Sequence, residues 1–266
     1  VSTIGSTRGL ARLVLGFALL AVLPLTPTLA EDAGEPSGGL PGEIAAEVGL
    51  VSDYVDRGIS NSDGNPAVQG GISYSIGTGV GDTSAYAGFW GSSVDFDDGG
   101  EATVELDWYF GLNGTAPGTE LVWDASFAYY SYPGASSGLN YDYWEIPVVL
   151  SHPLWEAVTV TGGYYFSPEY FGDAGHAHYL NGGVSWEIPV EPVTVTLEAA
   201  TGHQWIEDNA WAGVEDYQDW SVGVSVGYEA ITVGLGYTDT NLSKSECFGG
   251  TKVCDPRLVL RVGAAL

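Results

Sequence analysis

Hydrophobic and polar residues alternate through most of this chain. In the stretch VELDWYFGL, one set is Val104, Leu106, Trp108, Phe110 and Leu112, and the other is Glu105, Asp107, Tyr109 and Gly111. A period of two sends successive side chains to opposite faces of a β-strand. This segment therefore has one greasy aromatic face and one face carrying two carboxylates. The same alternation predicts strands near 44–55, 67–77, 84–95, 102–112, 119–131 and 142–151. Six more follow near 157–167, 177–187, 193–205, 217–228, 231–240 and 257–266. No apolar helical period is sustained, and each segment approaches the ~9–11 residues a tilted strand needs to cross a bilayer.

The connections sort into two kinds. TGVGDT, NGTAPG, HPLWE, PVEP and EA are short, and they alternate with DRGISNSDGNP, YPGASSGLNY, SPEYFGDAG, IEDNAWAGVE and NLSKSECFGGTKVCD. The brief FDDGGE loop is the exception among the second group. Short turns at one end and long loops at the other are the pattern of an outer-membrane barrel.

The faces agree. Leu121, Trp123, Phe127 and Tyr129 share one side of their segment, as do Trp144, Ile146, Val148 and Leu150, while Asp124, Ser126, Glu145 and Ser151 lie opposite. Val193, Val195 and Leu197, then Trp220, Val222, Val224, Val226 and Tyr228, repeat the apolar side. In hydrocarbon every backbone group must be paired, so such strands close on themselves, and aromatics near strand ends suit the membrane interfaces. The fold class read from this is all-β: a transmembrane antiparallel up-and-down β-barrel of about 12 strands. A soluble barrel with a dry core would leave rows of Trp and Phe in water. The segment SAYAGFWGSSVDF has aromatics, glycine and serine on both faces, and its inward side is ambiguous.

Composition changes the picture in two ways. There are 34 Asp and Glu against 7 Lys and Arg, a net charge of -27. Such a chain has no basic patch to neutralise phosphates, which argues against nucleic acid and in favour of cations or cationic solutes. A uniformly acidic surface adapted to a salty or alkaline medium is the plainer explanation of the same imbalance. The start of the chain stands apart: Arg8 and Arg12 precede LVLGFALLAVLPL and TPTLA. That is the layout of a secretory signal peptide over 1–30, cleaved after Ala30. The run is shorter than a membrane span, and Pro24 interrupts it. Residues 31–42 read as a Pro/Gly-rich tether and 43–266 as the barrel, in the outer membrane of a Gram-negative cell.

Exported chains keep disulfides. Cys247 and Cys254 flank a Gly-Gly pair, and a bridge between them closes a short loop, worth ~2–3 kcal/mol by loop-closure entropy. A metal pair is the alternative, and it lacks neighbouring histidines.

Lumen parity groups Glu47, Asp53, Glu105, Asp107, Asp124, Glu145, Glu187, Glu198 and Asp219. A pore wall of one charge sign concentrates counter-ions, so a cation preference follows. Pairing of these acids with Arg57, Arg257 or Arg261, or with Tyr and Ser hydroxyls, is the structural alternative, and the basic residues are too few to pair them all. Arg57 shares parity with Asp53, and an ion pair between them at the lumen mouth would anchor the first loop or form a constriction. Asp95, Asp97, Asp98 and Glu101 crowd one glycine loop but lack a full calcium-loop pattern. A solvated hairpin tip is the expectation there.

No nucleophile, base and orienting group come together in the sequence. His178 has the parity of the outer wall, yet no serine on an adjacent strand and no GxSxG motif accompanies it. The chain is accordingly expected not to be an enzyme, with no catalytic residues, no metal and no cofactor. Its expected partners are the bilayer and outer-membrane lipids, small solutes or cations, and the barrel-insertion machinery. That machinery would read the last strand, RLVLRVGAAL.

The segment VSDYVDRGISNSDGNPAVQGG, Val51 to Gly71, resembles the first-strand, first-loop and second-strand signature of the TorF-type porins of proteobacterial outer membranes. YAGFWGSSVDF, ELDWYFG, YSYPG, YFSPEYFGDAG and the paired cysteines of the final loop add to the resemblance, which covers roughly 43–266. Asp56, where the family pattern has an aromatic, and Leu266, where it has phenylalanine, depart from it. The resemblance implies a porin-like channel for passive diffusion of small solutes. A non-conducting structural or receptor-like barrel is the second reading, and a lipid hydrolase the third.

Overall fold

The computed structural model describes residues 41–100 and 102–266. The expected signal peptide, most of the tether and Glu101 lie outside the described residues. In chain order the strands are β1 (Glu43–Val51), β2 (Val55–Asp56), β3 (Ile59–Ser60), β4 (Ala67–Gly77), β5 (Ser84–Ser93), β6 (Val104–Thr115) and β7 (Val122–Ser131). They continue as β8 (Tyr143–Trp155), β9 (Val158–Ser167), β10 (Ala177–Val190), β11 (Val193–Ile206), β12 (Tyr217–Tyr228), β13 (Ile231–Thr240) and β14 (Arg257–Ala265). All but the small β2–β3 pair join one closed antiparallel barrel of twelve strands. The seam is β1 on β14, from Glu47 opposite Ala265 to Val51 opposite Arg261. Ala46 and Leu266 extend it by exchanging both backbone hydrogen bonds, at 3.1 and 2.8 Å. Closure leaves no edge, which is what a strand in hydrocarbon requires.

The alternation read from the sequence becomes the two faces of the wall. On β6, Trp108 and Phe110 are 53% and 58% exposed on the outside, and Glu105 is 2% exposed on the inside. On β8, Ile146, Val148 and Leu150 face out while Glu145, Val149 and Ser151 are buried. Trp155, Trp186 and Tyr228 lie exposed towards the short-turn end, and Trp108, Tyr129 and Trp205 towards the long-loop end. These are the two aromatic girdles of a membrane barrel. The ambiguous strand resolves with Ala87 and Phe89 outward and Tyr86 and Ser92 buried within. Trp90 is drawn inward by an edge-on contact with Tyr54, their ring centroids 5.6 Å apart.

Strand extents match the pattern closely, with one consequential difference. The first strand ends at Val51 rather than continuing to 55, and residues 52–66 turn inward. At the tip of the β2–β3 hairpin, Arg57 and Gly58 both have positive φ, 46° and 80°. A two-residue turn with two left-handed residues is the kind that matches the natural twist of paired strands. One short helix, α1 (Asn209–Ala212), sits in the loop after β11, where Asp208 accepts from the Trp211 backbone N–H at 2.9 Å. Among the described residues no helix is long and apolar enough to cross a membrane, which leaves crossing by strands untouched.

The long-loop end is capped by packed aromatics. Tyr141 stacks on Phe171 with centroids 4.3 Å apart, and Phe96 meets Tyr141 edge-on at 5.5 Å. Tyr54 and Val55 of the inward loop belong to the same buried cluster, so the cap and the loop form one apolar body.

Candidate functional site

The first loop is tied down before it reaches the lumen. Ser60 and Ser62 donate their hydroxyls to Asp53 Oδ1 at 2.5 and 3.1 Å, and the Tyr54 N–H donates to Ser62 Oγ at 2.9 Å. Arg257, at the start of β14, forms an ion pair with Asp53. The expected Asp53–Arg57 pair is therefore corrected. Asp53 stays at the wall with Arg257, and the hairpin carries Arg57 away into the bore. The Ser60 N–H donates to the Val253 carbonyl at 2.9 Å, which seats the hairpin against the Cys247–Cys254 disulfide loop.

Arg57 is 8% exposed and surrounded by the opposite wall. Its Nη1 and Nη2 donate to Glu145 Oε1 and Oε2 on β8 at 3.0 and 2.7 Å, and Nη1 also donates to Gln204 Oε1 on β11 at 2.9 Å. Between those strands, Tyr179 on β10 and Tyr165 on β9 present ring faces 4.4 and 5.2 Å from the guanidinium carbon. A planar fork meeting a carboxylate through both oxygens, with π-faces alongside, is the geometry that suits guanidinium better than ammonium. Tyr179 donates on to Asp219 Oδ2 on β12 at 3.0 Å, and Tyr130 donates to Glu145 Oε2 at 3.2 Å.

These contacts make the loop a bar across the lumen. Tyr54 donates to Glu105 Oε1 on β6 at 3.0 Å, while Arg57 reaches β8 to β11. Gly58 lies against the far side: a Cβ there would sit 2.5 Å from Thr240 Cγ2 and 3.0 Å from Asp219 Cβ. Gly202 plays the same spatial part on β11, because the Tyr179 ring crosses the place a Cβ would take.

The expected lumen residues fall into two levels. Asp53, Arg57, Glu105, Asp107, Glu145 and Asp219 gather at the long-loop end around the bar, and all six are buried. Glu47, Asp124, Glu187 and Glu198 lie further towards the short turns. There Tyr86 donates to both oxygens of Asp124 at 2.8 and 2.7 Å, and Arg261 is the electrostatic partner of Glu198. Three arginines thus face carboxylates, and the acids of the wall outnumber them. Sorting the sequence by acid residues alone missed Gln204, Tyr165 and Tyr179. Their inward parity was readable, but nothing local links them to Arg57.

The other candidates are dispersed. His178 Nδ1 is 2.7 Å from the Tyr164 hydroxyl on the outer wall, and its neighbour His176 pairs with Glu207 at 2.5 Å. Glu207, beyond the end of β11, is held below the usual carboxylate range by the His176 backbone N–H first and by its ring second. Asp98 accepts from the Tyr141 hydroxyl, and Asp95 accepts from the Asp97 N–H at 3.1 Å. Among the described residues no group of three His, Cys, Asp or Glu is placed to hold a metal.

Residues 34–265 match the model of a family described as a bacterial protein of unknown function, Gcw_chp. Among curated proteins no sequence matches the chain. Solved structures with a similar fold include the NanC porin, at 12% identity and a TM-score of 0.50, covering 84% of this chain and 98% of that one. An outer membrane channel from Pseudomonas putida F1 is similar at 12% identity and a TM-score of 0.46, covering 89% and 100%. LpxR from Salmonella typhimurium is similar at 9% identity and a TM-score of 0.48, covering 84% and 99%. At these identities the likeness concerns the fold, an outer-membrane barrel. The expectation that the chain is not an enzyme is corrected: the barrel fold, which LpxR from Salmonella typhimurium shares, gives no ground for that exclusion.

Proposed function

This chain belongs to the Gcw_chp family of bacterial proteins of unknown function, and on that premise we propose that it is an outer-membrane channel for small solutes. Its lumen prefers cations, and its first loop is the internal constriction. The observation that carries this reading is the ring of buried carboxylates at the constriction. Glu105, Asp107, Glu145 and Asp219 are buried in the wall there; Arg57 pairs with Glu145, and Tyr54 of the same loop donates to Glu105. In a narrow bore with low-dielectric walls such an excess of one sign draws counter-ions in and repels co-ions. The resemblance of Val51–Gly71 to the TorF-type porins supports the same reading, since that segment is the one forming the bar. Export behind a cleaved leader, and delivery to the outer membrane through recognition of β14, are part of the proposal.

A second reading has its own support. The first loop touches strands on opposite sides of the bore, and the aromatic cap packs behind it. A barrel closed in this way acts as a structural or receptor-like element. Single-channel recording of the refolded protein in a planar bilayer under a salt gradient separates the two. Discrete steps with a cation-selective reversal potential are expected. A folded, heat-modifiable barrel that never conducts would reject the channel and favour the closed barrel.

A further inference from the structure

The surroundings of Arg57 are a guanidinium site in their own right, built from the wall and filled by a loop. We propose that the cradle of Glu145, Gln204, Tyr165 and Tyr179 binds a small guanidinium-bearing solute, and that Arg57 occupies it in cis as a tethered stand-in. The inference rests on the reading that solutes enter this lumen, and it adds the chemical class of the solute.

Three features separate a ligand cradle from a simple loop anchor. First, the carboxylate, the amide oxygen and both ring faces that meet the guanidinium come from the barrel wall, on four consecutive strands, β8 to β11, so this part of the cradle belongs to the scaffold, while Tyr170 of the loop after β9 and Asp56 of the hairpin itself complete the surroundings. Second, the recognition is specific for shape as well as charge: two carboxylate oxygens in line with two N–H groups, an amide oxygen, and two ring faces. A lysine anchor would need none of that planarity. Third, the site carries more negative charge than its occupant neutralises. Asp219 is 1% exposed beside Tyr179, and its Oδ1 accepts no hydrogen bond. One arginine therefore sits among Glu145 and Asp219, with Asp56 3.8 Å from its Nε. A longer solute with a second cationic group would meet that surplus. The inward carboxylates of the short-turn half of the lumen, Glu47, Asp124, Glu187 and Glu198, share the same sign.

The occupant is held by a loop, so a solute competes with it. Apparent affinity for the wild type is scaled down by the fraction of molecules in which the cradle is free of Arg57, and removal of Arg57 lifts that penalty, by about tenfold or more. The test is calorimetric titration of the refolded full barrel in detergent with N-butylguanidine, with n-butylamine as the ammonium probe of equal chain. Arg57→Ala is expected to bind one butylguanidine per barrel, about tenfold tighter than wild type. Adding Glu145→Gln to that variant is expected to abolish the binding, and butylamine is expected to bind more weakly than butylguanidine. Should Arg57→Ala fail to fold, Arg57→Lys retains the charge, loses the fork, and is expected to be displaced by butylguanidine. A folded Arg57 variant with no saturable heat overturns the proposal, and equal binding of the two probes overturns the guanidinium class. Binding in detergent is read independently of conduction, so a barrel that binds without conducting rejects the channel and keeps the site.

Discussion

Arg57 and Glu145 stand 88 residues apart in the chain and meet through two parallel hydrogen bonds inside the barrel. Both side chains are almost fully shielded, at 8% and 2% exposure. Breaking such a pair from one side leaves an uncompensated buried charge, which costs about 3–5 kcal/mol, whereas replacing both partners by apolar groups of similar volume is close to neutral. Glu145→Gln is expected to lower the stability of the refolded barrel by about 3 kcal/mol in urea unfolding. The Arg57→Met/Glu145→Met double variant is expected to recover most of that loss. Additive losses in the double variant would mean that the two side chains act independently.

The loop tip admits no side chain at its second residue. Gly58→Ala meets a φ of 80° and a Cβ placed 2.5 Å from Thr240 Cγ2. The hairpin is expected to withdraw from the bore. In bilayer recordings this reads as larger or longer openings than the wild type, and in limited proteolysis as faster cleavage within 52–66. Unchanged records on both counts would show that the wall yields instead of the loop.

Selectivity is expected to reside at the constriction. Glu105→Gln combined with Asp107→Asn removes two carboxylates from the same face of β6 while keeping their size and hydrogen-bonding capacity. The reversal potential under a salt gradient is expected to move towards zero. Glu207→Gln, beyond the wall, is the control expected to leave it unchanged. An unaltered potential in the double variant would place the selecting charges deeper, at Asp124 or Glu198.

The outer wall is expected to tolerate charge less well than the lumen. Phe110, 58% exposed on the barrel exterior, faces the hydrocarbon. Phe110→Lys is expected to cost about 2–4 kcal/mol of folding stability in lipid, the range for a lysine near the bilayer midplane. Tyr109→Lys, one position along and facing the acidic lumen, is expected to cost less. The reverse order in vesicle-based unfolding would invert the assignment of the two faces.

The disulfide supports the bar from outside. Serine at both Cys247 and Cys254 is expected to lower stability by about 2–3 kcal/mol through the freed loop. It also loosens the Val253 carbonyl that receives the Ser60 N–H. Faster proteolysis within 52–66 in the reduced or serine form is the expected readout.

The sequence by itself determined the wall. Period-two alternation is a local property, and it placed Trp108 outside and Glu105 inside, and set the 67–77, 217–228 and 231–240 strands at their observed limits. Where both faces offered similar residues, as in 84–95, the pattern was silent, and contact with Tyr54 decided that Trp90 turns inward. The interior was legible only as a list of inward acids. Asp53 and Arg57 sit close in the chain and share parity, yet the hairpin turn at Arg57 and Gly58 separates them, and each finds a partner elsewhere. Glu145, Gln204, Tyr165 and Tyr179 converge because four adjacent strands curve around one bore. That convergence depends on closure of the barrel and on a loop without periodicity folding into it, so only the tertiary structure could assemble the cradle.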